Sequence, residues 1–173
     1  MKKNLVLLGM MAVGKSTLGK IVAKKQSLKF IDTDLNIEKK YSMKISEIFK
    51  KKGEDFFRQC EEKEVLESLK KTKSVIALGG GAFLNKTVRD KILNNSISIW
   101  LDVNLETLNK RVKWNKKRPL LNQENAEEII KKLYLKRKNI YKLAKYKINC
   151  NKMTKQEIAK KIVFYDENYK TKH

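Results

Sequence analysis

The 173-residue chain is poor in residues that build several common kinds of site. Its one histidine is the final residue, His173, which excludes Ser-His-Asp and Cys-His catalysis and the HExxH metal motif. Two cysteines, Cys60 and Cys150, are too few for a disulfide framework and lack the CxxC spacing of a structural zinc site. No apolar run approaches the roughly 18 residues that a membrane-spanning helix needs.

The N-terminus has some features of a secretion signal. The basic Met1–Lys3 precedes the apolar Leu5–Val13. However, no small-x-small cleavage site follows, and the apolar run ends at once in Gly14–Thr17. We therefore expect a cytoplasmic protein without a membrane partner.

Acidic residues are also scarce: the chain has 19 Asp and Glu but 41 Lys and Arg, which gives a net charge of +22. Such a balance raises nucleic acid as a partner. Only five of these cations are arginine and the other 36 are lysine, whereas nucleic-acid sites favour arginine with interleaved aromatics. The lysines recur on predicted helix faces, as Lys24-Lys25, Lys39-Lys40, Lys70-Lys71, Lys131-Lys132 and Lys160-Lys161. We predict a solvated lysine coat and no specific nucleic-acid partner; a nucleic-acid-binding protein that uses ATP as a switch is the alternative from another class.

Short apolar segments alternate with segments of helical periodicity. Strands are predicted at Leu5–Leu8, Phe30–Ile31, Val75–Leu78 and Ile97–Leu101, and a shorter alternating pattern indicates a fifth at Tyr146–Ile148. Helices are predicted at Ser16–Lys25, Gly53–Lys71, Leu105–Trp114, Ala126–Lys145 and from near Thr154, where Glu157 completes a capping box. This alternation predicts a parallel sheet with right-handed crossovers, because consecutive parallel strands need helical connections. We expect one three-layer α/β/α domain over residues 1–173.

A phosphate-binding motif lies between the first predicted strand and helix. Gly9–Ser16 matches G-x-x-x-x-G-K-[ST], and its position between a strand and a helix is the arrangement that the motif requires. Backbone N–H groups at the start of the helix can hold β- and γ-phosphates, with Lys15 on their oxygens and the Ser16 hydroxyl on Mg²⁺. The motif predicts a nucleoside-triphosphate phosphotransferase or hydrolase. The candidate ATP-binding residues here are Gly9, Met10, Met11, Ala12, Val13, Gly14, Lys15, Ser16 and Thr17.

The ends of the next two predicted strands carry the candidates for the acceptor side. Asp32 and Asp34 follow the second strand, at the sheet edge where ligands bind. One carboxylate can reach Mg²⁺ while the other accepts a proton from an attacking hydroxyl; a helix N-cap is the alternative role. Gly79–Gly81 follow the third strand, at a place where many P-loop proteins have a metal-binding Asp. Because this chain has no Asp there, Asp32 is the candidate carboxylate on the metal side. The glycines leave room for close approach of a ligand, or form a flexible turn.

In a chain that uses lysine for most cations, we expect arginine where a planar, bidentate contact to an anion is needed. Arg58 lies one helical turn before Glu61, which can hold its guanidinium. Arg118 lies beside the only proline, in a segment predicted to be a mobile flap. Arg137 lies within the long helix. Each of these arginines alone also fits a surface ion pair, but together with Arg111 they favour an anionic acceptor.

The ordered set of motifs resembles the shikimate kinase family over essentially the whole chain. The matching pieces are GMMAVGKST, DTD, FFRQCE, GGG, RPLL and the helix from Arg137 to Tyr141. The resemblance implies transfer of the ATP γ-phosphate to the 3-hydroxyl of shikimate. It also implies five parallel strands in the order 2-3-1-4-5, a mobile lid at about 113–123 and an acceptor-binding segment at about 34–61. Mg²⁺ is the implied cofactor, ATP and shikimate are the implied substrates, and a domain of this size is expected to be a monomer.

The resemblance also implies roles for individual residues. Asp34 would bind the reacting hydroxyl and act as its base, with Lys15 and the lid residue Arg118 as further catalytic groups. Ser16 and Asp32 would lie at the metal. Arg111 would lie beside adenine, and Arg118 would contact ATP. The implied acceptor-binding residues are Asp34, Arg58, Glu61, Gly79, Gly80, Gly81, Arg137, Phe49 and Phe57.

Three positions depart from the family pattern. Ala12 stands where many members have glycine. The helix segment Lys136–Tyr141 reads KRKNIY where the family often has ER-x-P-L-Y. Residues 151–155 lack the proline that often closes the adenine pocket. The alternative within the kinase class is a P-loop kinase acting on a nucleoside monophosphate or a sugar acid such as gluconate.

Overall fold

The computed structural model describes residues 3–114 and 125–171, and these contain one five-stranded sheet flanked by helices. The strands are β1 (Asn4–Leu8), β2 (Lys29–Asp32), β3 (Ser74–Ala77), β4 (Ser96–Asp102) and β5 (Tyr146–Asn149). The helices are α1 (Lys15–Lys25), α2 (Thr33–Tyr41), α3 (Ile45–Lys70), α4 (Lys86–Asn95), α5 (Leu105–Trp114), α6 (Ala126–Tyr141) and α7 (Lys155–Thr171), with a 3₁₀ turn at Ala82–Leu84.

The sheet is parallel throughout, in the order β2-β3-β1-β4-β5, which confirms the predicted topology. In the central strand β1, Leu5 lies opposite Val75 of β3 and Ile97 of β4. At the two edges, Phe30 of β2 lies opposite Val75, and Ile99 lies opposite Tyr146 of β5. Because the strands are parallel, β1, β2 and β3 end at one edge of the sheet, which brings the loops that follow them together.

The strands are buried because helices cover the sheet. Every residue of β1, β3 and β4 is buried, as expected for parallel strands packed on both faces. Helices α1 and α7 contact each other, with α1 against β1, β2 and β3 and α7 against β4 and β5. Helices α3 and α4 also contact each other, and α4 packs on β4. The largest buried side chains in this core include Trp100 and Tyr141.

The helices differ from the sequence-based bounds at several places. Helix α3 begins at Ile45 rather than Gly53, although Gly53 has φ 83° and ψ 170°, so the helical geometry is interrupted where its start was predicted. Helices α2 and α4 were not predicted. Helix α2 begins directly after β2, with Asp32 as its N-cap, so its first turn looks like a loop after a strand in the sequence. Helix α6 ends at Tyr141 rather than Lys145, since the chain turns there to enter β5.

The predicted capping box before α7 is present. The Thr154 N–H donates to Glu157 Oε2 at 2.7 Å, and the Glu157 N–H donates to Thr154 Oγ1 at 3.2 Å. Across residues 3–114 and 125–171, none of the helices is long and apolar enough to cross a membrane. Arg118 and most of the predicted lid at about 113–123 lie outside the described residues.

Candidate active site

The phosphate loop connects β1 to α1, and its glycines are required by geometry. Gly9 has φ 140°, and a Cβ there would lie 2.5 Å from the Leu101 carbonyl oxygen. Gly14 has φ 100° and precedes the first residue of α1. Lys15 folds back over the loop, where its Nζ donates to the carbonyl oxygens of Gly9 and Met10, both at 2.9 Å. The loop therefore has the backbone and the cation that a phosphate site needs.

Arg111 of α5 contacts the same loop. Its Nη1 donates to the Val13 carbonyl oxygen at 3.2 Å and to the Ala12 carbonyl oxygen at 3.4 Å. Ala12 has φ 61°, a left-handed backbone conformation that glycine adopts more easily. Arg111 thus lies next to the loop, as its predicted role in ATP binding requires, while contact with adenine stays a prediction.

Ser16 and Asp32 lie side by side at the start of α1 and the end of β2. The Ser16 hydroxyl donates to Asp32 Oδ2 at 2.5 Å. The other oxygen of Asp32 accepts the Leu35 N–H at 3.2 Å, which caps α2. The two roles weighed for this carboxylate are therefore compatible, because one oxygen caps the helix and the other faces the phosphate loop.

Asp34 is held near the third strand by its neighbour Thr33, whose role sequence reasoning missed. Thr33 is fully buried, and its hydroxyl donates to the Ala77 carbonyl oxygen at 3.3 Å while accepting the Gly79 N–H at 3.1 Å. These two bonds tie the first turn of α2 to the end of β3. In the sequence, Thr33 is marked only by its place between Asp32 and Asp34, and this pattern does not predict a contact with the end of β3.

Gly79, Gly80 and Gly81 make room for four charged side chains of the predicted acceptor set. A Cβ on Gly79 would lie 2.4 Å from an oxygen of Asp34 and 2.6 Å from one of Glu61. On Gly80 it would lie 3.2 Å from Arg137 Nη1, and on Gly81 it would lie 2.3 Å from Arg58 Nη1. The position of Gly80 also adjoins the phosphate loop, since the same Cβ would lie 3.7 Å from the Met11 nitrogen. The glycines thus allow the charged groups to converge beside the phosphate loop.

The two charges Arg58 and Glu61 form the ion pair that their spacing predicted. Nη1 of Arg58 donates to Glu61 Oε2 at 2.7 Å. Burial raises the pKa of Glu61, and the positive charges of Arg58 and Arg137 only partly oppose that effect. The ring of Phe57 lies 5.3 Å from the Arg58 guanidinium carbon, and the ring of Phe49 lies 5.9 Å from it, so both predicted pocket aromatics flank this cation.

Arg58 has a second carboxylate partner that sequence reasoning missed. Oε1 of Glu54 accepts from Arg58 Nε at 3.2 Å and from Nη2 at 3.0 Å. Burial alone would lower the pKa of Arg58, but the charges and hydrogen bonds of Glu61 and Glu54 outweigh it and raise that pKa. The signal was available, because Glu54 lies four residues before Arg58 on the same helix.

Arg137 and Tyr141 of α6 close the other side of this cluster. Arg137 is buried, with 8% of its surface exposed, and its Nε has no hydrogen-bond partner among the described residues. The Tyr141 hydroxyl donates to the Gly80 carbonyl oxygen at 2.5 Å. Burial raises the pKa of Tyr141 to about 12, against the opposing effect of the Arg137 charge. A buried arginine with an unused Nε–H at a cavity wall is suited to bind an anion.

Some of these side chains border a cavity of about 680 Å³ between α3, α4 and α6, but Asp34, Phe49, Phe57 and Tyr141 are not part of its lining. Arg58, Glu61, Gly81 and Arg137 line it, and so does Glu54. The cavity therefore combines two arginines with carboxylates at one edge of the sheet. Its size and its mixed charges suit a small, polar, anionic acceptor.

The parallel sheet in the order 2-3-1-4-5, together with the phosphate loop and the charged cavity, defines a P-loop phosphotransferase with the fold of nucleoside monophosphate kinases. The family model for shikimate kinase matches residues 11–165. The chain belongs to the shikimate kinase family.

Individual relatives cover nearly the whole chain. A shikimate kinase of Bartonella henselae is 42% identical over 167 residues, which are 96% of this chain and 80% of that protein. A shikimate kinase of Bacillus subtilis is 38% identical over 94% of this chain and 88% of its own length. The solved structure of shikimate kinase from Acinetobacter baumannii in complex with shikimate has a TM-score of 0.88 and 33% identity, and covers 93% of this chain and 90% of that one.

Proposed function

We propose that this protein is a shikimate kinase, which transfers the γ-phosphate of ATP to the 3-hydroxyl of shikimate and gives shikimate 3-phosphate and ADP. The observation that carries the proposal is the convergence of Asp34, Arg58, Glu61 and Arg137 on Gly79–Gly81, next to the phosphate loop. Membership in the family supports the same acceptor. Shikimate has one carboxylate and three hydroxyls, so it needs cations and hydrogen-bonding groups in one small cavity.

On the donor side, the backbone N–H groups of the phosphate loop would bind the β- and γ-phosphates, and Lys15 would leave its loop carbonyls to contact their oxygens. Thr17 follows in α1 and would contribute at the same helix start. Arg111 would pack near adenine from its position against the loop. Arg118, which lies outside the described residues, would act as the lid arginine on the transferring phosphoryl group.

On the acceptor side, Arg58 and Arg137 would bind the carboxylate, and this contact fixes which hydroxyl reaches Asp34. Asp34 would accept the proton of the 3-hydroxyl as that oxygen attacks the γ-phosphorus. The bond from the 3-oxygen to the γ-phosphorus forms while the bond from the γ-phosphorus to the bridging oxygen breaks, and ADP leaves with the electron pair. The Phe49 ring would border the acceptor beside Arg58.

Mg²⁺ is the metal that the donor set fits. The Ser16 hydroxyl and the Asp32 carboxylate supply two oxygens at the phosphate loop, and Mg²⁺ prefers oxygen ligands from one or two protein groups with phosphates and waters completing its shell. When bound, the ion would neutralise charge on the β- and γ-phosphates. Ser16 would then contribute a direct or water-mediated oxygen, and Asp32 would hold the hydroxyl in place.

The test is turnover with identification of the product. The protein is incubated with Mg-ATP and shikimate, ADP release is followed, and the position of the new phosphate is read from phosphorus–proton coupling by NMR. We expect coupling to the proton on carbon 3, and loss of the reaction in Lys15→Ala. Phosphate on another hydroxyl would overturn the assigned orientation, and absence of ADP release would overturn the acceptor.

A further inference from the structure

Two carboxylates, rather than one, hold the guanidinium of Arg58. Glu61 accepts one N–H from Nη1, and a single oxygen of Glu54 accepts from both Nε and Nη2. A guanidinium has five N–H donors. Contacts among residues 3–114 and 125–171 use three of them, which leaves one N–H on Nη1 and one on Nη2. A carboxylate binds such a pair of donors in a bidentate contact.

We propose that Glu54 is a positioning residue for the acceptor: it fixes the Nε–Nη2 side of Arg58 and thereby keeps the two remaining donors directed at the acceptor carboxylate. This inference rests on shikimate being the acceptor. Glu54 and Arg58 line the same cavity as Arg137, the second proposed carboxylate-binding cation. Glu54 acts through Arg58 and has no direct contact with the acceptor in this role.

The backbone places Glu54 for this contact. Gly53 has φ 83° and ψ 170°, a combination that only glycine adopts without strain. A Cβ at Gly53 would meet no atom within 4 Å, so the conformation rather than the space requires glycine. The interruption makes Glu54 the first residue of the continuous helical segment that carries Arg58. A glutamate four residues before an arginine is the favourable order for such a pair.

A role in stability alone does not account for this pair. The Glu54 side chain is 63% exposed, and exposed ion pairs contribute little to the free energy of unfolding. Its effect on binding is different, because a guanidinium held before the acceptor arrives loses less conformational freedom when it binds. Removal of Glu54 should therefore weaken acceptor binding while leaving the fold almost unchanged.

The test compares Glu54→Ala with Asp55→Ala, which removes a neighbouring exposed carboxylate of the same helix that does not line the cavity. We expect Glu54→Ala to raise the KM for shikimate about three- to tenfold, with kcat and the KM for ATP within about twofold of the wild type. Asp55→Ala should change none of them. The Tm of both variants should stay within about 2 °C of the wild type.

A double-mutant cycle tests whether Glu54 acts through Arg58. In the Arg58→Lys background, Glu54→Ala should have no further effect on the shikimate KM. An equal fold-change in both backgrounds, an unchanged KM, or a lower KM in Glu54→Ala would each overturn the inference; the last would mean that Glu54 competes with the acceptor.

A substrate-free readout separates this inference from the proposed function. The Nε–H signal of Arg58 in ¹⁵N NMR of the free protein should be sharp in the wild type and in Asp55→Ala and broadened in Glu54→Ala. If wild-type protein fails to phosphorylate shikimate, the proposed function has failed and so has the positioning role that rests on it, whatever this signal shows. If wild type turns over shikimate but the Nε–H signal and the KM are the same in Glu54→Ala and Asp55→Ala, only the positioning role has failed.

Discussion

Asp34 is the residue on which the proposed chemistry depends most. Its carboxylate lies beside Gly79, and the buried hydroxyl of Thr33 fixes the first turn of α2 against β3. Asp34→Asn keeps the shape of the side chain but removes its basicity. We expect kcat to fall about 10²- to 10⁴-fold, with little change in the KM for ATP. Asp90→Asn is the control, since Asp90 pairs with Lys86 on α4, and its kcat should match that of the wild type. Near-normal turnover in Asp34→Asn would exclude Asp34 as the general base.

Tyr141 contributes a buried hydrogen bond and a pH dependence. In Tyr141→Phe the Gly80 carbonyl oxygen loses its donor, which should cost about 1–3 kcal/mol in the free energy of unfolding at pH 7. The pKa of Tyr141 in the folded protein is about 12, above the ordinary value of 10. The folded state therefore holds this proton more tightly, so the stabilisation is complete below pH 10 and is lost as the pH rises from 10 to 12.

Urea unfolding at pH 7, 9 and 11 measures both effects. Because one pKa unit corresponds to about 1.4 kcal/mol, the stability advantage of the wild type over Tyr141→Phe should shrink by about 1.4 kcal/mol between pH 9 and pH 11. An advantage that stays constant with pH would contradict the burial of an uncharged Tyr141.

Among structural elements, the turn of three glycines after β3 should matter more for binding than for stability. A Cβ on Gly81 would displace Nη1 of Arg58, which is the end of a flexible side chain. We expect Gly81→Ala to raise the shikimate KM about tenfold or more with a small change in Tm. Gly9→Ala differs, because Gly9 has a φ of 140° and the added Cβ would clash with the Leu101 backbone. We therefore expect this variant to have a clearly lower free energy of unfolding. An unchanged shikimate KM in Gly81→Ala would show that this glycine does not serve the acceptor site.

The phosphate loop carries strain at Ala12, where φ is 61°. The left-handed conformation costs a non-glycine residue about 1–2 kcal/mol, partly offset because glycine has more freedom in the unfolded chain. Ala12→Gly should therefore raise the free energy of unfolding by about 0.5–1 kcal/mol without loss of kcat. Ala23→Gly, within α1, should lower it by about 1 kcal/mol. The midpoints of denaturant unfolding of both variants and the wild type measure these changes. A lower midpoint in Ala12→Gly would contradict backbone strain at Ala12.

The sheet was predictable from the sequence where its strands are continuous apolar runs, and its order followed from the family resemblance. Helix α2 was not predicted, because it begins at Thr33 directly after β2 with no separating loop, and its N-cap Asp32 is also the last residue of the strand. The charged residues of the proposed acceptor site were predictable, because arginine is rare in this chain and because the family resemblance names the same positions. The contacts of Thr33 were not predictable, because they depend on how α2 approaches β3, and hydrophobic periodicity does not specify that geometry. The contact between Glu54 and Arg58 was available as a pair four residues apart on one helix, although it was not drawn from the sequence.

Across the whole molecule, the net charge of +22 is spread rather than concentrated in the site. All ten residues of the paired lysines Lys24-Lys25, Lys39-Lys40, Lys70-Lys71, Lys131-Lys132 and Lys160-Lys161 are exposed, as predicted for a solvated coat. Such a field attracts any anion, including gluconate and nucleoside monophosphates. The choice among anionic acceptors must therefore come from the arrangement of Asp34, Arg58 and Arg137.

The most direct measurement is kcat/KM for ADP release with Mg-ATP and each of three acceptors: shikimate, gluconate and a set of nucleoside monophosphates. The proposed arrangement of Asp34, Arg58 and Arg137 predicts saturable turnover with shikimate and at most background rates with the other two. Turnover with gluconate or a nucleotide and none with shikimate would contradict the assigned acceptor, and would leave the phosphate loop as the part of the site that is correctly assigned.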